Sequence, residues 1–585
     1  MTTLEKARQE IVEALSTAYP DINIKPEDFV YPPKPELGDL SLPLFQCAKE
    51  GGKNPAALAQ ELAETLNASH PNSILSIKAA GPYLNFFLDK SWFISETINT
   101  VLNQTDNYGH NHDGNNQSVM IEYSNGNTHK ECHVGHLRNI AYGDAVNHLL
   151  SLNGWQVIPV SYINDFGGFT AKTLWFYLSE EKRLGKTAHE ELITKTSNKG
   201  ALLGRYYAAS VAKLEAKPEY KEDVTEIMKA IESRKGEIYE LWQKTKAWSV
   251  DQLQSIYDQL GIRFEHTFYE NEYLDRGLEV VKKLYGENVL VKSQGAIIAN
   301  LEEWKLGVLP IIRSDGTSLY PVADLALAIA KFDYEPRLVK SICVVDVRQG
   351  LYFKQLFKVL ELMGYKQHFV HLGYDFVTLP DGMMSSRSGN IVTYEELVEA
   401  ARDKAKKETA SRHSDWDEDK ISQIAEALAI GALKFEMLKV GGDKTIVFDV
   451  NEALRFDGYT AAYLQYTGAR INSIFKKEAA NYHLINHDFS DIDWSKLSLE
   501  IEIQLTSKIA KYPEIIRQAG QSYNPAEVAR YLFELAQLTN DYYHQAPVIS
   551  AEEDIKNARL GLLKAASQTL KNGLNLLGIE ALKEM

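Results

Sequence analysis

Cysteine is scarce in this sequence. Only Cys47, Cys132 and Cys343 occur among 585 residues, too few and too scattered for a disulfide framework or a zinc cluster. Long apolar runs are also missing, since none approaches the ~20 residues of a membrane span and the N-terminus has no apolar signal core. These absences predict a cytoplasmic protein without a membrane partner.

An excess of positive charge is missing as well. The chain has 63 Lys and Arg against 79 Asp and Glu, a formal net charge of −16, which argues against indiscriminate binding to nucleic acid. A polynucleotide partner stays open, because phosphate recognition needs only a local basic stripe. The length of the chain predicts three or four domains.

Changes of pattern along the chain suggest where these domains lie. Residues 1–110 mix helical periodicity with short alternating strands, and their end overlaps a polar, turn-rich stretch at 104–116. Residues 111–405 have an α/β pattern, with an insertion at about 173–307 that is mostly charged helix from about Thr173 to Lys283. Residues 406–585 are helical in nearly every window. We expect an α+β domain, an α/β domain and an all-α domain in that order.

The α/β region begins with a strand, a loop, a helix and a second strand. The strands are expected at 119–123 and 157–163, and the helix from about His133 to Leu150. This order is typical of a crossover unit in a parallel sheet. Such sheets bind ligands beyond the carboxyl ends of their strands, often at helix N-termini, where unpaired N–H groups favour anions.

The first loop and helical turn of this unit, Asn127–Asn139, carry the chemistry. His133 and His136 are three residues apart and share a helix face, with Gly135 between them and Lys130 just upstream. We interpret the group as a cradle for a nucleoside triphosphate. Two alternatives stay open at this point: a zinc pair, for which no third ligand is evident, and an ordinary helix N-terminus with solvated histidines.

The segment His133–His136 resembles the HIGH signature of class I aminoacyl-tRNA synthetases. A longer pattern around it is similar to that of arginyl-tRNA synthetases. The residues that match this pattern are Glu122, Tyr123, Ser124, Asn127, Lys130 and residues 133–138. Gly126 departs from it, because proline is common at that position. The resemblance implies a multidomain α/β fold with a Rossmann-like parallel-sheet catalytic domain and an all-α C-terminal anticodon-binding domain. It also implies a catalytic role for Lys130, His133, Gly135 and His136.

A second ATP-binding element is expected at Gly382–Asn390. This stretch resembles the KMSKS loop of class I synthetases without its usual lysines, and its candidate ATP-binding residues are Met384, Ser385, Ser386 and Arg387. Many arginyl-tRNA synthetases lack these lysines and have a lysine before the HIGH signature, a place that Lys130 fills. By its residues alone, the stretch is equally consistent with a flexible Gly/Ser loop.

The substrate pocket is expected to contain paired carboxylates. A guanidinium is planar and permanently charged, so a fork of carboxylates suits it, and Glu122 and Asp324 are the candidates. Tyr320 shares a face with Asp324 if a helix starts near Pro321. Asp324 either caps that helix or awaits a cation. Two carboxylates that face each other without a cation repel, so we expect a raised pKa for one of them in the empty site.

The resemblance assigns roles to five residues around L-arginine. It implies that Glu122, Tyr320 and Asp324 bind the guanidinium, and that Asn127 and Gln349 lie near the α-amino end. Just after Gln349 the sequence departs from the family pattern, because Gly350 and Tyr352 stand where an Asp and a His are common.

Residues 457–470 resemble the start of the family's anticodon-binding bundle. Tyr463 and Tyr466 share a helix face and Arg470 follows four residues later, and aromatic rings beside a cation can stack unpaired RNA bases. An aromatic stripe at this spacing more often marks a helix core. The N-terminal domain resembles an extra domain that contacts the tRNA elbow, with Asn85 as a candidate contact.

The activity that the resemblance implies is ATP-dependent activation of L-arginine to arginyl-adenylate and transfer to the 3′ end of tRNA(Arg), with AMP and pyrophosphate as products. ATP and Mg²⁺ are expected, with no protein metal site, a monomeric state and a requirement for bound tRNA. Two alternatives stay open. One is a glutamyl or cysteinyl enzyme of the same fold, disfavoured by the paired carboxylates and the absence of zinc ligands. The other is an inactive, synthetase-like RNA-binding protein, suggested by the missing loop lysines.

Overall fold

The computed structural model describes residues 1–20, 23–68, 70–378, 392–482 and 492–585. Its first part is a small antiparallel sheet, in the order β1-β3-β2, covered by helices. The elements of this part are α1 (Thr3–Ala18), β1 (Leu40–Pro43), α2 (Phe45–Glu50), α3 (Pro55–Asn67), β2 (Ile74–Ala80), β3 (Tyr83–Leu88) and α4 (Lys90–Gln104). The α+β prediction for the N-terminal part is confirmed.

A five-stranded sheet forms the centre of the molecule, in the order β11-β10-β4-β5-β6, with every neighbouring pair parallel. Its strands and the helices that connect them near the site are β4 (Ser118–Glu122), α5 (Val134–Leu152), β5 (Gln156–Ile163), β6 (His266–Tyr269), α12 (Tyr320–Tyr334), β10 (Leu338–Asp346), α13 (Gly350–Leu362) and β11 (His368–Tyr374). All five residues of β4 are buried, as expected for the middle strand of a parallel sheet with both faces covered. The Rossmann-like prediction is confirmed.

The stretch from 173 to 307 is mostly helical, as expected, but it is not wholly outside the sheet. Strand β6 lies within it and pairs with β5 at the sheet edge. The rest of this stretch and its borders comprise α6 (Gly168–Leu184), α7 (Lys186–Lys195), α8 (Lys199–Ala216), α9 (Lys221–Glu232), α10 (Glu237–Leu260), α11 (Leu274–Gly286), and a small antiparallel sheet of β7 (Val291–Ser293), β8 (Ala296–Asn300) and β9 (Val308–Ile312).

The C-terminal part is a bundle of helices, as expected. Its helices are α14 (Tyr394–Arg412), α15 (Glu418–Leu438), α16 (Val450–Ala453), α17 (Ala461–Tyr482), α18 (Glu500–Ala510), α19 (Tyr512–Ser522), α20 (Pro525–Gln545) and α21 (Glu553–Leu576). Two short paired strands, β12 (Val377–Thr378) and β13 (Ile446–Val447), lie before α14 and between α15 and α16. A division between residues 405 and 406 falls inside α14. Since α14 is one continuous helix, the catalytic and helical parts meet without a linker at that point.

Candidate active site

The sheet reverses its strand order between β4 and β10. From β4 the chain adds β5 and β6 on one side, and later β10 and β11 on the other. In open parallel sheets, ligands bind in the crevice beyond the carboxyl ends of the strands at such a switch point. Glu122 ends β4 and Asp346 ends β10, and both line a cavity of about 620 Å³.

Two side chains of α5 hold its N-terminal end over this crevice. Asn139 accepts a hydrogen bond from the backbone N–H of Ser124 (2.5 Å) and donates one to the Val344 carbonyl (2.7 Å), which joins the helix to the ends of β4 and β10. The buried Arg138 guanidinium donates to the carbonyls of Phe376 (3.2 Å) and Gly442 (3.0 Å). The helix start is therefore fixed against both sides of the switch point.

The imidazoles of His133 and His136 lie against each other at the start of α5, with ring centroids 3.9 Å apart. The N–H of Gly135 donates to His133 Nδ1 (3.1 Å), and the N–H of His133 donates to His136 Nδ1 (3.2 Å). Burial, and then Lys130, lowers the pKa of His133 to about 4. Burial, together with His133 and Lys130, also places the pKa of His136 well below its ordinary value.

These hydrogen bonds fix the tautomer of both rings. An Nδ1 atom that accepts a hydrogen bond carries no proton, so a neutral imidazole has its N–H at Nε2. Both histidines are therefore neutral donors at pH 7. His136 lines the cavity, whereas His133 and Gly135 lie beside it.

Gly135 packs against the His133 ring. A Cβ atom at this position would lie 3.0 Å from Cε1 and 3.1 Å from Nδ1 of His133, closer than side chains normally approach. The ring that lies against the bare backbone of Gly135 therefore belongs to the cradle itself.

Lys130 lines the same cavity and is held by aromatic rings. Its Nζ lies 4.8 Å from the centroid of Phe169 and 5.1 Å from that of Tyr207. Burial, and then Lys172, lowers its pKa. Among the described residues, no carboxylate opposes this shift. Aromatic faces hold an ammonium without cancelling its charge, so the charge stays available to an anionic ligand.

Glu122 has a cation of its own, which the sequence analysis did not find. Its Oε2 lies 2.6 Å from Nζ of Lys331, and both side chains are about 95% buried (4% and 5% exposed). Its Oε1 accepts a hydrogen bond from Asn125 Nδ2 (3.0 Å). The expectation that Glu122 and Asp324 face each other without a cation is therefore wrong. The signal that could have found Lys331 is a lysine in an otherwise apolar helix, two turns after Asp324.

Asp324 behaves as expected in one respect. Burial raises its pKa to about 7, with Glu122 adding to the shift, whereas a hydrogen bond from the Tyr352 hydroxyl and the charge of Lys331 oppose it. Burial also raises the pKa of the nearby Glu270 to about 8, with contributions from Asp324 and Asp165. The expected raised pKa is present, but burial rather than Glu122 is its main cause.

The cavity brings most of the predicted site residues together. Those that line it are Glu122, Asn127, Lys130, His136, Tyr320, Asp324 and Gln349. Tyr320 starts α12 as expected, but it is 71% exposed and so stands at the mouth of the cavity. Met384, Ser385, Ser386 and Arg387 lie outside the described residues.

Of the candidate tRNA contacts, some side chains are packed inside the protein and others are exposed. Tyr463 packs inward, where its ring meets Phe533 at 5.6 Å, while Tyr466 is 37% exposed. The Arg470 guanidinium lies 4.8 Å from the ring centroid of Tyr543. Asn85 is only 4% exposed and accepts a hydrogen bond from Ser41. Its side chain joins two strands and is not presented to an RNA, which corrects the expectation for this residue.

Three family models match the chain. The one described as tRNA synthetases class I (R), catalytic domain, matches residues 97–450. A DALR anticodon binding domain matches residues 464–585, and an arginyl tRNA synthetase N terminal domain matches residues 5–88. The chain belongs to the class I arginyl-tRNA synthetases.

Relatives of this synthetase match it along nearly the whole chain. It is 36% identical to an arginine–tRNA ligase of Bdellovibrio bacteriovorus, over 98% of this chain and 97% of the relative. It is 34% identical to one of Clostridium botulinum over 95% of each. The Thermus thermophilus arginyl-tRNA synthetase structure matches with a TM-score of 0.80 at 28% identity, over 100% of this chain and 99% of that one. The synthetase is therefore an arginine–tRNA ligase, and enzymes of its class use ATP.

The described residues contain no helix that is long and apolar enough to cross a membrane. They also contain no group of three or more His, Cys, Asp or Glu side chains arranged to hold a metal ion.

Proposed function

We propose that the cavity at the β4–β10 switch point binds L-arginine. Glu122, Asp324 and Tyr320 would contact the guanidinium, and Asn127 and Gln349 the α-amino end. The observation that carries this proposal is that all five line one cavity. Asp324 is a buried carboxylate whose pKa is raised to about 7. Such a group is suited to a ligand that brings a permanent positive charge.

The start of α5 would bind the triphosphate of ATP. His133 and His136 are neutral there, with Nε2–H as donors, and the helix N-terminus favours anions. Lys130 supplies a charge that no carboxylate among the described residues cancels. The loop at 382–390, with Met384, Ser385, Ser386 and Arg387, is proposed as a second contact from the family resemblance alone.

We assign Mg²⁺ to the nucleotide rather than to a protein cage. Mg²⁺ is commonly bound by substrate phosphates and waters with one or two carboxylates, which fits a site whose described residues offer no cluster of metal ligands. Bound there, Mg²⁺ would add charge stabilisation to the phosphates.

The reaction needs no side-chain nucleophile. The carboxylate of arginine attacks the α-phosphorus of ATP, pyrophosphate leaves, and a ribose hydroxyl at the 3′ end of tRNA(Arg) then displaces AMP from the arginyl group. The chain's contribution is positioning and stabilisation of charge on the phosphoryl group. His136 and Lys130 are the groups best placed for the latter, because both line the cavity.

The helical part would bind the anticodon and the N-terminal part the elbow of tRNA(Arg). The exposed Tyr466 and the Arg470–Tyr543 pair support stacking on unpaired bases, whereas the inward-packed Tyr463 supports the bundle. We propose a cytoplasmic monomer that activates arginine only with tRNA bound.

The proposal is tested by ATP–pyrophosphate exchange with each proteinogenic amino acid, with and without bulk tRNA. Exchange that requires both arginine and tRNA is the expected result. Exchange with another amino acid would contradict the assignment of the pocket, and exchange without tRNA would contradict only the tRNA requirement. No exchange by a folded protein under any condition would favour an inactive RNA-binding protein.

A further inference from the structure

Lys331 brings a cation into the pocket that we propose for the guanidinium. Its ammonium lies 2.6 Å from Glu122 Oε2 and 3.6 Å from Cys343 Sγ. It lies on α12 seven residues after Asp324, about two turns along the same face, and both residues line the cavity. One of the two carboxylates offered to the substrate is therefore already paired.

We propose that Lys331 is a positioning residue of the arginine pocket, which holds Glu122 in a fixed orientation while leaving Asp324 as the charge partner of the guanidinium. This inference rests on the proposed location of the arginine site. It adds to that proposal a specific division of labour between the two carboxylates.

The surroundings of Glu122 support an orienting role. Its carboxylate is held from both ends, by Lys331 at Oε2 and by Asn125 at Oε1, so the plane that a guanidinium meets is fixed before the substrate arrives. A carboxylate that is 3% exposed would be costly to keep ionised without a paired cation. The Lys331 ammonium offsets part of that cost while the pocket is empty.

The charges of the pocket support the division of labour. Glu122 and Lys331 cancel, whereas Asp324 has no ion-pair partner in the part of the chain that the structure describes. When Asp324 is ionised, these three groups together carry one net negative charge, which a single guanidinium neutralises. Arginine can then use Glu122 as a fixed acceptor and Asp324 as its counter-charge.

This arrangement predicts that two substitutions change arginine binding in opposite directions: the first weakens it, and the second, added to the first, partly restores it. Glu122→Gln leaves the Lys331 ammonium buried without its carboxylate, facing the guanidinium and free to pair with Asp324. Arginine then meets both repulsion and competition. Removing that ammonium with a second substitution, Lys331→Met, should restore part of the arginine binding. A residue that merely packs the helix would make the double variant worse than the single one.

The experiment measures steady-state aminoacylation with saturating ATP and tRNA(Arg). Glu122→Gln should raise the KM for arginine by roughly thirtyfold or more, and adding Lys331→Met should lower it again by about tenfold, with the KM for ATP unchanged in both. Lys331→Gln in the same background is the second variant should the methionine impair folding. The matched control is Lys556→Met, another buried lysine with a carboxylate, Glu478, at 3.5 Å; it should give no relief.

The outcomes separate this inference from the proposed function. Relief by the Lys331 substitutions but not by Lys556→Met supports the positioning role. A raised KM in Glu122→Gln that neither Lys331 substitution relieves would overturn the role of Lys331 and leave the pocket assignment intact. An unchanged KM in Glu122→Gln would overturn the pocket assignment itself, and the role of Lys331 with it.

Discussion

Replacing Asp324 with asparagine should weaken arginine binding by an amount that depends on pH. Asparagine keeps the shape of the side chain and an oxygen that can accept from Tyr352, so it removes little except the charge. A buried charged hydrogen-bond pair that loses one partner costs ~2–4 kcal/mol, and ~1.4 kcal/mol is tenfold in affinity. We therefore expect the KM for arginine to rise about a hundredfold at pH 8.

The pH dependence follows from the pKa of Asp324, which is about 7 in the empty pocket. Arginine prefers the ionised carboxylate, so wild-type binding is full above that pKa and weakens as pH falls through it. At pH 6, roughly nine-tenths of empty wild-type pockets carry a proton on Asp324, which costs about tenfold in affinity. The protonated wild type then resembles the variant, and the ratio of their KM values should fall to about tenfold.

The assay is arginine-dependent aminoacylation at pH 6, 7 and 8 with saturating ATP and tRNA. Glu270, with its pKa of about 8 to which Asp324 contributes, also titrates in this range, so the comparison of wild type and variant is repeated in a Glu270→Gln background. A KM ratio that stays constant from pH 6 to pH 8 would refute the titration of Asp324. A ratio near one at pH 8 would place the guanidinium elsewhere.

Four further substitutions test separate parts of the site. His136→Ala should lower adenylate formation by about a hundredfold or more without loss of thermal stability, measured by ATP–pyrophosphate exchange and calorimetry; near-normal turnover would exclude His136 from catalysis. Lys130→Ala should raise the KM for ATP and lower kcat, and an unchanged ATP dependence would remove its role on the triphosphate. Gly135→Ala should lower kcat by roughly tenfold, because the added methyl group displaces the His133 ring. Its Tm should be equal or higher, because alanine favours a helix. A lower Tm with a normal kcat would contradict this account. Tyr466→Ala should raise the KM for tRNA by about fivefold or more and leave that for arginine unchanged, and the reverse pattern would exclude Tyr466 from the RNA contact.

The elements around the site could be predicted because their patterns are strong and local. The helix expected from about His133 to Leu150 begins after His133 and ends at Leu152. The apolar residues on which it was predicted recur at helical spacing and are all buried: Val134, Leu137, Ala141, Ala145 and Leu149. Strand β6 could not be found this way. It has only four residues between long helices, and its place at the edge of the sheet depends on pairing with a strand more than a hundred residues earlier.

The site could be predicted in part for a similar reason. A motif gives residue types at fixed spacing, so Lys130, His136 and Asp324 could be named from the sequence and do line one cavity. The ion pair of Lys331 joins residues 209 positions apart and the hydrogen bond of Tyr352 crosses between two helices, so both depend on tertiary packing. Asn85 shows the opposite error, a residue that the sequence suggested as a contact and the structure excludes. Its segment resembles the family, but its side chain is buried between strands.

The central claim is that the guanidinium lies between Glu122 and Asp324 with the reacting phosphorus near the start of α5. A crystal structure with a non-hydrolysable analogue of arginyl-adenylate tests it most directly. We expect the guanidinium within hydrogen-bonding distance of both carboxylates, Lys331 still paired with Glu122, and the group replacing the phosphate close to Nε2 of His136. A guanidinium bound outside this cavity, or an adenylate remote from the start of α5, would contradict the account.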